Sequence, residues 1–227
     1  MNKKIDHTIL DQENGQVASM FSYWRQLMDD KIKFWQINDG IDIHTEGHCE
    51  RVLLLALKLG EKRHLKLRSL IALCHASIFH DTRRKDNYLD RGHGQRAAEY
   101  YKQFCTDNGL KYLPEVYAVI AYHDQDDEMG EKYIREEAPR HSLANAGEKT
   151  DDTEGWLEVY HDFKDADALD RYRLGPWGLD AKFLRSNESK ELMEFAQHLV
   201  TVTIDPELLK DVTELTRPYA ERIAKGE

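Results

Sequence analysis

Cysteine is scarce in this chain. Its three cysteines (Cys49, Cys74, Cys105) lie far apart, with no Cys-x-x-Cys pair. That excludes a disulfide framework and reads as reduced thiols of a cytoplasmic protein. No apolar run approaches the roughly 18 residues of a membrane span. The opening MNKKIDHTIL lacks the apolar core of a signal peptide. Positive charge is also short, with 32 Lys+Arg against 42 Asp+Glu and a formal charge of −10. Nucleic acid and anionic membrane are poor partners for such a chain, since both call for a basic surface. There is no repeat, no heptad seam and no convincing strand.

Helical periodicity fills the space that these absences leave. Val17, Met20, Phe21, Trp24, Leu27, Met28, Ile32 and Trp35 fall on one face of a helix predicted over 15–36. A second, over 44–62, is apolar almost all round and is expected at the centre. A third covers about 66–81. Others follow from His93 and Gly94 to Phe104, from Pro114 to about His123, over 156–173, over 187–201 and over 206–224. Residues 124–155 read as a polar insertion, with one short helix at 128–138 and a long connection from 139 to 155. Connections of that length are commonly lids or disordered. Gly175-Pro176-Trp177-Gly178 forces a turn. The fold class is all-α, a single helical bundle over 1–227.

The chemistry centres on Ser77-Ile78-Phe79-His80-Asp81-Thr82-Arg83-Arg84, at the end of an apolar helix. A carboxylate there is costly to bury unless its charge is met, and the helix dipole disfavours it. A divalent cation answers both objections. Adjacent helix residues diverge by about 100°, yet both can reach an ion held off the helix surface. His48 opens the second helix, with Arg51 one turn on. His93 opens the helix after the motif, and His123 closes the one after that. Asp167 lies in Asp165-Ala166-Asp167-Ala168-Leu169-Asp170. One metal held by His48, His80, Asp81 and Asp167 has two imidazoles, two carboxylates and room for water. The bland alternatives are helix caps, a helix-end ion pair for His80-Asp81 and a surface carboxylate for Asp167. His44-Thr45-Glu46-Gly47-His48 places its Glu wrongly for a His-Glu-x-x-His site. His75 reads as a satisfied core group.

The ordered set His48-x-x-Arg51-Val52, His80-Asp81-Thr82-Arg83-Arg84, His93-Gly94-Gln95-Arg96-Ala97-Ala98, His123 and Asp165-Ala166-Asp167-x-Leu169-Asp170 resembles the HD-domain (His-Asp) metal-dependent phosphohydrolase superfamily, in a bacterial branch. Two departures stand out: Thr82 replaces a usual Ser, and the gap from His123 to Asp167 is long. The resemblance implies an HD-like core over about 44–201, with His48, His80, Asp81 and Asp167 as metal ligands. It implies Arg84 near substrate phosphate. For His93 and His123 it leaves two roles open, a second metal or a hydrogen bond to phosphate or water. The cofactor is one divalent metal or two, with Mn, Fe, Mg, Co, Ni and Zn not separated by sequence.

A small anionic phosphorylated substrate, a nucleotide above all, suits a basic rim in an acidic protein. Arg51, Arg84 and Arg96 are candidates to bind it, because Arg forks match phosphate. Asp81 and Arg84 are the candidate catalytic pair, with either a metal hydroxide or Asp81 as base. The expected reaction is hydrolysis of a phosphomonoester, phosphodiester or pyrophosphate bond. The alternatives are a two-iron oxygenase of the same superfamily and a non-catalytic, metal-stabilised nucleotide sensor.

Overall fold

The computed structural model of the chain describes residues 4–37, 43–88, 90–144 and 152–225. Among them the protein is all-α, and no strand occurs. The helices are α1 (His7–Leu10), α2 (Gly15–Lys31), α3 (Glu46–Lys62), α4 (Leu67–Phe79), α5 (His93–Asn108), α6 (Pro114–Tyr122), α7 (Asp127–Ala144), α8 (Thr153–Leu169), α9 (Asn187–Glu191), α10 (Met193–Thr203) and α11 (Pro206–Lys225). Tight 3-10 turns cover Asp170–Leu174 and Ala181–Phe183. No helix among the described residues is long and apolar enough to cross a membrane.

Local chemistry sets the ends. Asn14 caps α2 by accepting the Val17 N–H at 2.8 Å. Pro114 opens α6, where its missing N–H costs nothing. Gly109 closes α5 in the left-handed region, with φ of 66°. The middle of the fold is α3, where Val52 through Ala56 are wholly buried. It packs against α4 and α8, and α6 packs against those same two helices. One hydrophobic cluster extends from Ile5 to Leu199. Each fully buried Leu in it contributes about 1.5–3 kcal/mol.

Several boundaries differ from the sequence expectation. Helix α2 stops at Lys31 rather than near 36. There the backbone turns extended and bonds elsewhere, Lys33 N to Tyr100 Oη and Trp35 N to Thr82 O, both at 3.0 Å. The shared Trp24/Trp35 face therefore splits: Trp24 is in the core and Trp35 is 44 % exposed. Helix α7 runs through Pro139 to Ala144 instead of ending at 138. A proline inside a helix loses one hydrogen bond, but Ile134 and Ala138 are buried and the His141 and Trp156 rings lie 5.6 Å apart. That packing on α8 outweighs the local cost. Of the expected 139–155 connection, residues 145–151 lie outside the described residues, and α8 is already helical at Thr153. Finally, the helix expected over 187–201 is two, meeting at Leu192.

Candidate metal centre

Helix α4 ends at Phe79, and His80 and Asp81 occupy the turn beyond it. Thr82 closes that turn, its Oγ1 donating to Phe79 O at 2.7 Å. This lifts both side chains off the helix end, toward α3, α5, α6 and the end of α8. His48 on α3, His93 at the start of α5, His123 after α6 and Asp167 on α8 all converge there. His48, His80, Asp81, His93 and His123 are buried, and the Asp167 side chain is 27 % exposed.

The donor set falls into two halves that share Asp81. On one side, His48 Nε2 lies 3.2 Å from Asp167 Oδ1, 3.6 Å from Asp81 Oδ2 and 3.1 Å from His80 Nε2. On the other, His93 Nε2 lies 3.1 Å from Asp81 Oδ1 and 3.0 Å from His123 Nε2. His123 Nε2 stands 3.5 Å from the same Asp81 oxygen.

Proton placement decides what these contacts mean. Each Nδ1 faces an atom that can only accept: Asp170 Oδ2 for His48 at 2.7 Å, Ser77 O for His80 at 3.0 Å, Asp90 O for His93 at 2.7 Å and Ile120 O for His123 at 2.8 Å. A neutral imidazole has one N–H, and in all four rings these acceptors hold it on Nδ1. Four Nε2 lone pairs then point inward, that of His93 with Arg84 Nη1 3.2 Å away, and two pairs of them meet at 3.0 and 3.1 Å. Such contacts repel unless a cation lies between. Asp81 Oδ1, buried and accepting no hydrogen bond, repeats the point. Carbonyls and carboxylates behind the rings are the usual support of metal-ligating histidines.

The local field agrees. Burial pushes the His80 imidazole down to about 3, so it stays neutral. For His44 burial, then Arg173, does the same, also to about 3. His123 is shifted upward: burial opposes a charge there, but Asp81, Asp167 and Asp124 outweigh it. A field that favours a proton on that nitrogen favours a metal ion on it. Burial also opposes ionisation of Asp170, yet Arg51, His48 and Arg173 hold it down to about 2.

The acidic segment at the end of α8 divides its labour. Asp165 turns away and accepts from Arg185 N, Ser186 N and Ser186 Oγ. Where α8 tightens into the 3-10 turn, residues three apart eclipse. Asp170 and Arg173 therefore line up, with Asp167 one turn before them on α8: a candidate ligand, the carboxylate behind His48, and a guanidinium reaching His44. Sequence reasoning singled out Asp167 and gave Asp170 no role, because a carboxylate behind a ring shows only in the folded contact with His48 Nδ1.

The arginines are placed as follows. Arg51 sits behind the candidate ligands, 1 % exposed, its Nε and Nη2 both donating to Asp170 at 2.6 and 3.1 Å. Arg96 braces the loop after the motif, donating to Asp90 Oδ2 at 2.5 Å and to Arg83 O at 3.2 Å. Arg84 is beside the cluster, its Nη1 3.7 Å from Asp81 Oδ1, its Nε on Asp86 O and its Nη2 on Tyr88 O. His75 is the satisfied core group expected, 3.0 Å from Tyr101 Oη.

His44 is the site residue that sequence reasoning missed. Its Nδ1 is 3.2 Å from Asp81 Oδ2 and 3.1 Å from Arg173 Nη2. It lies before α3 begins, so helical spacing to His48 carried no information. Donor atoms of His44, His48 and Asp81, of His48, His80 and Asp167, and of His80, Asp81 and His123 each lie within 4.8 Å of one another.

Fold and site together define an all-helical protein with a buried histidine–aspartate cluster whose donors suit a metal ion. No protein-family profile matches the chain, no curated protein matches it, and no solved structure does.

Proposed function

We propose that the protein is a metal-dependent phosphohydrolase acting on a small phosphorylated substrate, with nucleotides foremost. The observation that carries the reading is the convergence of the His48, His80, His93 and His123 Nε2 atoms around Asp81 and Asp167. His48, His80, Asp81 Oδ2 and Asp167 would hold one divalent ion; His93, His123 and Asp81 Oδ1 would hold a second. An ion in such a site lowers the pKa of its water from 15.7 toward about 7 and takes up charge on a phosphoryl oxygen.

The chain's own groups do the rest. Arg51 and Asp170 fix the His48 ring. Either a metal hydroxide or Asp81, shared between the halves, would take the proton of the attacking water. Arg84, held over Asp81 by two carbonyls, retains N–H groups for a phosphate oxygen. The test is product release from a panel of nucleotides and sugar phosphates with Mn²⁺, Mg²⁺, Co²⁺ or Fe²⁺ added. Turnover should vanish in Asp81→Ala; a wild type no faster than that variant would end the proposal.

A second reading has one observation in its favour. The donor set has two halves joined by one carboxylate, as a two-iron oxygenase requires. Two irons per chain together with oxygen uptake on a polyol would favour it over hydrolysis.

A further inference from the structure

Arg173 is the guanidinium at the site whose charge is least well met. It is 4 % exposed, with Nε donating to Ile43 O at 3.0 Å and Nη2 to His44 Nδ1 at 3.1 Å. Its Nη1 is buried and makes no hydrogen bond. The nearest anion to it is Asp170 Oδ2 at 3.6 Å. That oxygen already accepts from His48 Nδ1 at 2.7 Å and Arg51 Nη2 at 3.1 Å, so it has no lone pair to spare. A buried N–H left unmet costs about 1–3 kcal/mol.

The charge balance sharpens this. Four carboxylates (Asp81, Asp124, Asp167, Asp170) and three guanidinium groups (Arg51, Arg84, Arg173) gather at the cluster. One divalent ion would leave one positive charge uncompensated, and two would leave three. Surplus positive charge in a buried site calls for an anion. His44 steadies the group. Its Nδ1 stands 3.1 Å from Arg173 Nη2, which can only donate to it, and 3.2 Å from Asp81 Oδ2.

We infer that Arg173, with His44 held against it, binds a non-reacting oxygen of a terminal, doubly charged phosphate beside the metal ligands. The site thereby takes phosphomonoesters in preference to diesters. This rests on the phosphohydrolase reading and narrows its substrate class.

The probes are inorganic phosphate and dimethyl phosphate, a dianion-forming and a monoanionic ligand, titrated calorimetrically into metal-loaded protein. Wild type should bind inorganic phosphate the more tightly. Arg173→Met should weaken it by about tenfold or more, the worth of a charge-assisted hydrogen bond, with metal content unchanged. Arg173→Lys and His44→Gln, which disturb packing less, should each fall between. Equal binding of the two probes would overturn the inference, as would phosphate affinity unaltered in Arg173→Met. Metal loss in both Arg173 variants would also overturn it, by making Arg173 a prop for the ligands. Turnover in wild type with phosphate binding independent of Arg173 removes the subsite alone. Arg173-dependent phosphate binding without turnover removes the hydrolase and keeps the subsite.

Discussion

Asp170 shows how much a single carboxylate can govern. Both its oxygens are spent, on Arg51 and on the Nδ1–H of His48, inside a region with no solvent exposure. In Asp170→Asn the amide cannot accept from both neighbours, and Arg51 is left buried without its counter-ion. The proton on His48 is then free to move to Nε2, where it blocks the metal-facing lone pair. We expect metal affinity to fall about 10–100-fold, the usual cost of removing such a partner. Competition against a chelating indicator would measure it, with Asp165→Asn, whose contacts are elsewhere, as the comparison.

Among the helices, the pairing of α5 with α6 sets the second half of the donor set. Gly94, one residue past His93, lets the two helices touch. A Cβ there would stand 2.7 Å from Ile120 O and 2.8 Å from Asp124 Oδ1. The carbonyl belongs to the residue that also holds the His123 Nδ1–H. Gly94→Ala must therefore push α5 outward and part His93 from His123. We expect a stability loss of about 1–3 kcal/mol, as for other overpacked contacts. Metal bound by His48, His80, Asp81 and Asp167 should survive while metal at the other half is lost. Denaturant unfolding and metal stoichiometry would read the two effects separately.

Most of these helices were legible in the chain because their apolar faces repeat at helical spacing, and α3 was recognisable as central from its apolar surround. What stayed hidden was set by contacts between distant segments. The end of α2 depends on Thr82 and Tyr100, and the continuation of α7 through Pro139 depends on α8. For the cluster, which residues gather at the helix ends was readable from charge and apolar context. The supports were not: Asp170 needs the folded contact with His48, and His44 needs Arg173, over a hundred positions away.

Across the whole molecule, the acidic balance includes one carboxylate that opposes folding. Asp162 is wholly buried, paired with Arg63, and its Oδ2 has no hydrogen-bond partner. Burial pushes its pKa up to about 7, Arg63 only partly counteracting, with Glu158 and Asp165 adding to the rise. The unfolded chain gives up this proton near the ordinary carboxylate value of about 4, and the folded chain keeps it to about 7. The folded state thus binds more protons between those limits, and stability falls as pH rises through them. Asp162→Asn should remove that slope and be no less stable than wild type at pH 8. Chemical denaturation at a series of pH values would show it, and a steeper decline in the variant would contradict it.

The alignment of Asp170 with Arg173, one turn after Asp167, has a consequence for how the chain tolerates changes of length. In a three-residue turn, one added or deleted residue rotates everything beyond it by about 120°. A single such slip would misdirect the His48 support and the anion partner together while leaving every amino acid present. Substitutions here can be graded one at a time; insertions and deletions cannot.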